Sequence, residues 1–193
     1  MKLNLLKHIQ LYGQLAVDNH SFDRSNVAVA SQFGLKLFFN KLYIQTEFNY
    51  SPKNMYTSED SVFNYSNYNQ ALAHPLGSNF SELIFIGQYK LNCWRLGFQA
   101  SGTKYGIHSK VVKINGPYKV TDYAFSTPFI GLGSKTSAVN MLVSVSYMLN
   151  PTSNRILECG YIYRKANVDG INSQIGYFYL AVKTSLTNGN WGL

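Results

Sequence analysis

The chain reads as an all-β protein, an antiparallel up-and-down transmembrane β-barrel of about eight long strands that forms part of a larger barrel. Three observations predict this. Apolar and polar residues alternate over long stretches. Successive side chains of a strand point to opposite faces, so each stretch has one greasy face and one wet face. The connections between stretches alternate short and long from Asn40 onward, as in outer-membrane barrels with tight turns on one side and long loops on the other. Charge is scarce: Asp, Glu, Lys and Arg make up 13% of the 193 residues, against about 25% in a soluble domain.

The first strand is expected over Leu3–Asp18, with Leu3, Leu5, Ile9, Leu11, Leu15 and Val17 on one parity. Its length exceeds that of an average globular strand. The polar stretch Asn19–Asn26 ends it. The second strand, Val27–Phe39, carries Val27, Val29, Phe33, Leu35 and Leu37 on one side. Asn40-Lys41 is short enough for a hairpin turn. Leu42–Ser51 follows, with Leu42, Ile44, Phe48 and Tyr50 opposing Gln45, Glu47 and Asn49. The segment from Pro52 to about Ser78 has no strand pattern, and long loops of this kind are usually functional or disordered.

The fourth strand is expected at Asn79–Leu91. After Asn92-Cys93 a fifth begins at Trp94, with Trp94, Leu96 and Phe98 alternating against Arg95, Gly97 and Gln99. A second long connection spans about Lys104 to Lys135. The sixth strand, Thr136–Leu149, sets Val139, Met141, Val143, Val145 and Tyr147 against Asn140, Ser144 and Ser146. Pro, Asn and Ser make residues 150–154 a turn. The seventh strand is Arg155–Lys165, a loop covers Ala166–Asn172, and the eighth is Ser173–Thr187 with Phe178, Leu180 and Val182 outward. No helical periodicity competes with this pattern.

Bulk properties narrow the classes. Apolar residues make up 46% and aromatics 15%, yet mean hydropathy is only −0.13. Strict alternation averages to neutral hydropathy, so a barrel needs no long apolar run. A soluble β-sandwich or lipocalin-like barrel shares this composition. The net charge of +8 comes from scattered lysines and arginines rather than one basic element, which argues against nucleic acid as a partner and fits acidic lipid headgroups or a charged glycan. Cys93 and Cys159 fall on different strands and could bridge only if those strands were neighbours. The start of the chain already reads as a strand and lacks the features of a signal peptide, so a piece beginning inside a barrel wall is expected.

One segment carries a signature: Asn64-Tyr65-Ser66-Asn67-Tyr68-Asn69-Gln70-Ala71-Leu72-Ala73-His74-Pro75-Leu76-Gly77-Ser78-Asn79-Phe80-Ser81-Glu82. With the preceding Gln45-Thr46-Glu47-Phe48-Asn49-Tyr50, the early Leu11-Tyr12-Gly13-Gln14 and the late Asn150-Pro151-Thr152-Ser153-Asn154, it resembles the Bacteroidetes outer-membrane barrels of the capsule-assembly (Wzi-like) and gliding-motility (RemB-like) family. The resemblance covers most of the chain and is most specific over Tyr68–Glu82. It implies the C-terminal part of a large non-enzymatic barrel in the cell outer membrane. The implied partners are outer-membrane lipid, surface polysaccharide, and other surface or motility proteins. The chain departs from the family in the shorter segment after Asp18 and in lacking a terminal aromatic.

The residues of that loop support two readings. Asn69, Gln70, His74 and Asn79 supply donors and acceptors, Tyr65 and Tyr68 supply stacking faces, and Glu82 closes the motif; together they could hold a surface glycan. Equally, a loop this polar could fold into the lumen and satisfy its own hydrogen bonds. No histidine pair has metal-ligand spacing and no catalytic motif is present, so neither an enzyme, a metal nor a cofactor is expected. The inward Glu47, Glu82 and Glu158 are expected to pair with Arg95, Arg155 or Arg164. The competing functions are a porin-like channel for small solutes and a soluble β-barrel binding a lipid or sugar.

Overall fold

A computed structural model describes residues 1–19, 27–53, 55, 66–67, 70–71, 74–107, 134–150 and 155–184. The elements are β1 (Lys2–Leu6), β2 (Ile9–Asn19), β3 (Val27–Phe38), β4 (Leu42–Ser51), β5 (Ser66–Asn67), β6 (Gln70–Ala71), β7 (Phe80–Leu91), β8 (Trp94–Ile107), β9 (Ser134–Asn150), β10 (Arg155–Val168) and β11 (Ile171–Lys183). Nine of them form one sheet in the order β1-β2-β3-β4-β7-β8-β9-β10-β11. Each strand runs antiparallel to its neighbours. The short β5 and β6 pair with each other apart from this sheet. The sheet is open: β1 and β11 are its edges, and it does not close into a barrel.

The expected first strand is in fact a hairpin. Lys7 and His8 form the turn between β1 and β2, pairing Leu3 with Leu11 and Asn4 with Gln10, and an irregularity lies between Asn4 and Leu6. The break is invisible to alternation because Leu3 and Leu11 share parity, so the apolar period runs through the turn unchanged. His8 accordingly sits in a turn rather than on a wall; its Nδ1 lies 2.8 Å from the Phe38 carbonyl and its ring stacks on Phe39. The last connection is also shorter than expected. β10 continues to Val168, and Asp169 and Gly170 alone turn the chain, with φ of 49° and 88°. Two successive positive φ values are the hairpin geometry that Asp-Gly favours.

The register sorts side chains by chemistry. On one face a row runs Ile9, Leu37, Ile44, Gly87, Phe98, Val143, Tyr161 and Phe178, each residue opposite the next. Rows beside it hold Phe33, Phe48, Leu83 and Val139, and Tyr89, Leu96, Val145, Cys159 and Leu180. Nothing packs on this face among the described residues: Leu83 is 58% exposed, Leu180 73% and Phe178 84%. The opposite face carries Gln32, Gln45, Glu47, Asn49, Glu82, Asn140, Ser146 and Glu158, with Ile84, Ile86, Leu142 and Ile162 interspersed. Buried apolar residues among those described are only Ala30, Met55, Phe80 and Ala138. The second face is therefore covered by its own side chains lying over small neighbours, not by another layer.

The connections divide by end. The connections at residues 7–8, 39–41, 92–93 and 151–154 all join strands at one end of this up-and-down sheet, and they are short. Residues 20–26, 52–79 and 108–133 connect strands at the other end, joined there by the Asp169-Gly170 turn. At the short end adjacent turns are stitched together, with Phe38 N donating to His8 O, Lys90 N to Lys41 O and Met148 N to Cys93 O, each at 2.8 Å.

Glycines let aromatic rings lie flat on the sheet. A Cβ on Gly34 would stand 2.0 Å from Tyr12 Cζ, and one on Gly160 would stand 2.6 Å from Tyr179 Cε1, whereas one on Gly102 would meet nothing within 4 Å. Gly34→Ala is therefore expected to lose about 1–3 kcal/mol by overpacking, and Gly102→Ala to stay within about 0.5 kcal/mol. Urea unfolding of both variants in detergent micelles, followed by tyrosine fluorescence, checks the contrast.

Candidate functional site

The polar face builds its most connected site where β2, β3, β4 and β7 adjoin. Tyr12, Gly34 and Glu47 occupy one row, since Tyr12 lies opposite Gly34 and Gly34 opposite Glu47. The glycine has no side chain to block the path, so the Tyr12 ring crosses it and its hydroxyl donates a short hydrogen bond to Glu47 Oε2. Gln32 Nε2 and Asn49 Nδ2 each donate to Glu47 Oε1 at 2.9 Å. Gln45 Nε2 donates to the Tyr12 hydroxyl at 2.9 Å and reaches Glu47 Oε2 at 3.5 Å, while Tyr43 donates to Gln45 Oε1. Lys36 places its ammonium 5.1 Å from the Tyr12 ring centre. Four neutral side chains thus surround one carboxylate, which suits a part-buried anion that needs several donors.

The network continues towards the long-connection end. Asn49 Nδ2 also lies 3.3 Å from Glu82 Oε2, the atom that His74 Nε2 approaches at 3.3 Å. The His74 ring stacks on Phe80 at 4.3 Å between centroids. Its other nitrogen, Nδ1, accepts from Leu76 N at 3.2 Å, so a neutral tautomer with the proton on Nε2 satisfies both contacts. Pro52 O receives Asn79 N at 3.1 Å, and Gly77 N donates to His74 O at 2.8 Å. Beside this fold-back Lys53 is partly buried, and its desolvation lowers the ammonium pKa below the usual lysine value.

Of the residues singled out for glycan contact, His74, Asn79 and Glu82 are brought together here and are turned to internal partners. Asn79 is 0% exposed, holds φ of 61°, and bonds Gly106 through both its carbonyl oxygen and its Nδ2. A left-handed Asn is tolerated because its short side chain can bond locally. Gln70 lies in β6, opposite Asn67. Tyr65, Tyr68 and Asn69 lie outside the described residues. Tyr12, Gln32 and Gln45, which donate to Glu47, and Tyr43, which donates to Gln45, were not singled out by the sequence. The signal that could have found them is Tyr12 and Glu47 both sitting on wet parities with Gly34 between, which requires the pairing register.

A second, smaller cluster repeats the device on β9, β10 and β11. Tyr179 lies over Gly160 and donates to Glu158 Oε1 at 2.8 Å; Ser146 Oγ donates to Glu158 Oε2 at 3.0 Å; Lys183 Nζ lies 2.6 Å from Glu158 Oε1. The three carboxylates expected to face arginines therefore take tyrosine, amide, histidine and lysine partners instead. The reason is geometric: a tyrosine lying across a glycine reaches a carboxylate one or two strands away on the same face. Cys93 and Cys159 are free. Cys93 lies in the turn before β8, beside Met148 of β9, and β9 separates it from β10. That spacing, about 10 Å at ~4.8 Å per strand, is beyond disulfide reach. Among the described residues no group of three or more His, Cys, Asp and Glu could hold a metal ion.

Chemically, the Glu47 site is a closed hydrogen-bond network that fixes the segment before β7 to the sheet. Glu47→Ala leaves several part-buried donors without an acceptor and is expected to cost about 1–3 kcal/mol. With Tyr12→Phe it should couple by about 0.5–3 kcal/mol. A double-mutant cycle measured by urea unfolding reads both; additive losses would show that the two residues act separately. No protein-family model matches the chain, and neither a curated protein nor a solved structure matches it.

Proposed function

We propose that the chain is a non-enzymatic wall of an outer-membrane β-barrel whose loops at one end associate with cell-surface polysaccharide, in the manner of capsule-assembly or gliding-motility barrels. The observation that carries this reading is the bare apolar face. It runs unbroken from Leu11 and Phe33 on β2 and β3 to Phe178 and Leu180 on β11, while polar networks occupy the other face. In water an apolar surface of that extent is unfavourable and rarely left uncovered; in lipid it is the outer band of a wall.

The height of the band supports the same reading. Leu83 to Leu91 on β7 and Val139 to Tyr147 on β9 each span about 27 Å of strand at ~3.4 Å per residue. A barrel tilt of about 40° makes that a height of roughly 20 Å, somewhat below the ~25 Å apolar band of outer-membrane barrels. Tyr89, Trp94 and Tyr147 gather at its short-turn border, with Trp94 and Tyr147 at 4.7 Å between centroids. Aromatic residues at a border of this kind sit well at the headgroup level. Surface-glycan association draws its support from the loop composition and the family resemblance.

Val143→Arg in mid-band is expected to cost about 2–4 kcal/mol of folding into lipid vesicles, whereas Gln99→Arg, exposed on the polar face, is tolerated. The folded fraction recovered with phospholipid vesicles measures both; equal tolerance would remove the membrane reading. Cell fractionation after expression should recover the protein in the outer membrane, and recovery in an aqueous fraction would count against it. For the glycan, purified surface polysaccharide should bind the protein several-fold better than a Tyr68→Ala, Gln70→Ala double variant in a pull-down.

A further inference from the structure

The register gathers three cations that lie far apart in the sequence. Lys90 on β7 stands directly opposite Arg95 on β8. On its other side, Lys90 N donates to the carbonyl oxygen of Lys41, in the turn before β4, at 2.8 Å. Lys41, Lys90 and Arg95 are therefore successive neighbours at the ends of the central three strands of the nine. Like charges directly opposite one another on a sheet repel and destabilise the pair. No carboxylate among the described residues forms an ion pair with any of the three.

The surroundings leave the pair open, and the acid on its row is already taken. Lys90 and Arg95 are exposed and carry the polar face to the short-turn rim. With Ser146, Met148 and Ile156 they line a shallow depression. Arg95 lies opposite Ser146, and Ser146 opposite Glu158. Glu158 is held by Tyr179, Ser146 and Lys183, so its charge is matched two strands away from Arg95. Unneutralised cations grouped in this way raise the local potential and draw in anions. Arginine adds a planar fork that fits two oxygens of a phosphate, and lysine adds a compact ammonium.

We propose that Lys90 and Arg95, with Lys41 beside them, form an anion site that takes a phosphate ester. The Arg95 guanidinium holds two phosphate oxygens and Lys90 Nζ a third, and the bound dianion cancels the repulsion within the pair. Two sources carry this chemistry. One is a free phosphate ester; the other is a phospholipid headgroup, whose level Trp94 and Tyr147 mark on the other face of the same rim. The site lies at the end opposite the long connections. It is separate from the polysaccharide association proposed above and does not rest on it.

The test uses the full chain in micelles of a nonionic detergent. Glycerol phosphate and dihexanoyl phosphatidic acid are the probes, and isothermal titration calorimetry reads their binding. Saturable binding is expected, and Lys90→Gln with Arg95→Gln should weaken it by about tenfold or more, because hydrogen bonds to a charged group are lost. Lys104→Gln with Lys165→Gln removes the same charge from the apolar-side parity and should leave binding unchanged. Relief of the repulsion means that the first double variant should unfold at the same urea concentration as the parent or a higher one. Lys90→Glu, which sets opposite charges across the pair, should abolish binding and keep the sheet; it carries the test where the double variant does not fold. Tighter binding of the phosphatidic acid, lost in the double variant, would assign the site to a headgroup, and equal binding of the two probes would assign it to a free phosphate ester. Absence of saturable binding would overturn the proposal. An equal loss in the Lys104, Lys165 variant would overturn it too, since attraction would then come from the net charge of +8 and not from this row. Failure of the chain to enter lipid vesicles while the glycerol phosphate result holds would remove the membrane reading and leave the anion site standing.

Discussion

Everything in this structure depends on the pairing register that keeps one parity apolar across nine strands. Each antiparallel pair fixes whether partners share parity: Leu11 faces Leu35, Phe33 faces Phe48, Phe85 faces Ala100. Had any pair slipped by one residue, every apolar side chain beyond it would have moved to the other face. The lattice of hydrogen bonds and the sorting of chemistry are therefore one constraint. That is why so little of the sheet relies on a buried apolar core; its cohesion is lateral, through ladders and through rings laid across glycines.

The polar face shows how such a sheet satisfies charge without a second layer. A carboxylate on a sheet face would ordinarily need water or a cation. Here Glu47 and Glu158 are each met by a tyrosine that crosses a glycine; amides complete the set at Glu47, and a serine hydroxyl and the Lys183 ammonium complete it at Glu158. The glycine is as much a part of the site as the acid, since any side chain there would lift the ring. Through Asn49 and Glu82 the same network reaches His74, which ties chemistry on the sheet to the conformation of the connection that precedes β7.

Much of this was legible in the chain. Alternation located seven of the strands to within a few residues, because a half-covered strand must obey period two over its whole length. It failed where parity gave no warning. Leu3 and Leu11 sit on the same side of a turn whose Lys7 and His8 carry no glycine or proline, so one long strand and a hairpin look alike. Asp169-Gly170 was visible as a turn, but Asn167 and Val168 before it are as polar or as apolar as a loop allows. The wet-parity assignment of Glu47 was correct and its partners were not: a tyrosine–glycine–glutamate row is a property of three strands, and no single stretch encodes it. Likewise His74, Asn79 and Glu82 are recognisable as a motif, but only the fold shows that His74 meets Glu82 while Asn79 is turned to Pro52 and Gly106.

The unequal lengths of the connections have a consequence for how this chain can change over time. A turn such as Asn92-Cys93 joins two paired strands directly, so any residue added there must be absorbed by another tight hairpin geometry. The segments 52–79 and 108–133 impose no such limit, because their ends are placed by the strands and not by their own length. Room for large changes in size thus lies at one rim of the sheet, and the opposite rim is held to connections of two to four residues.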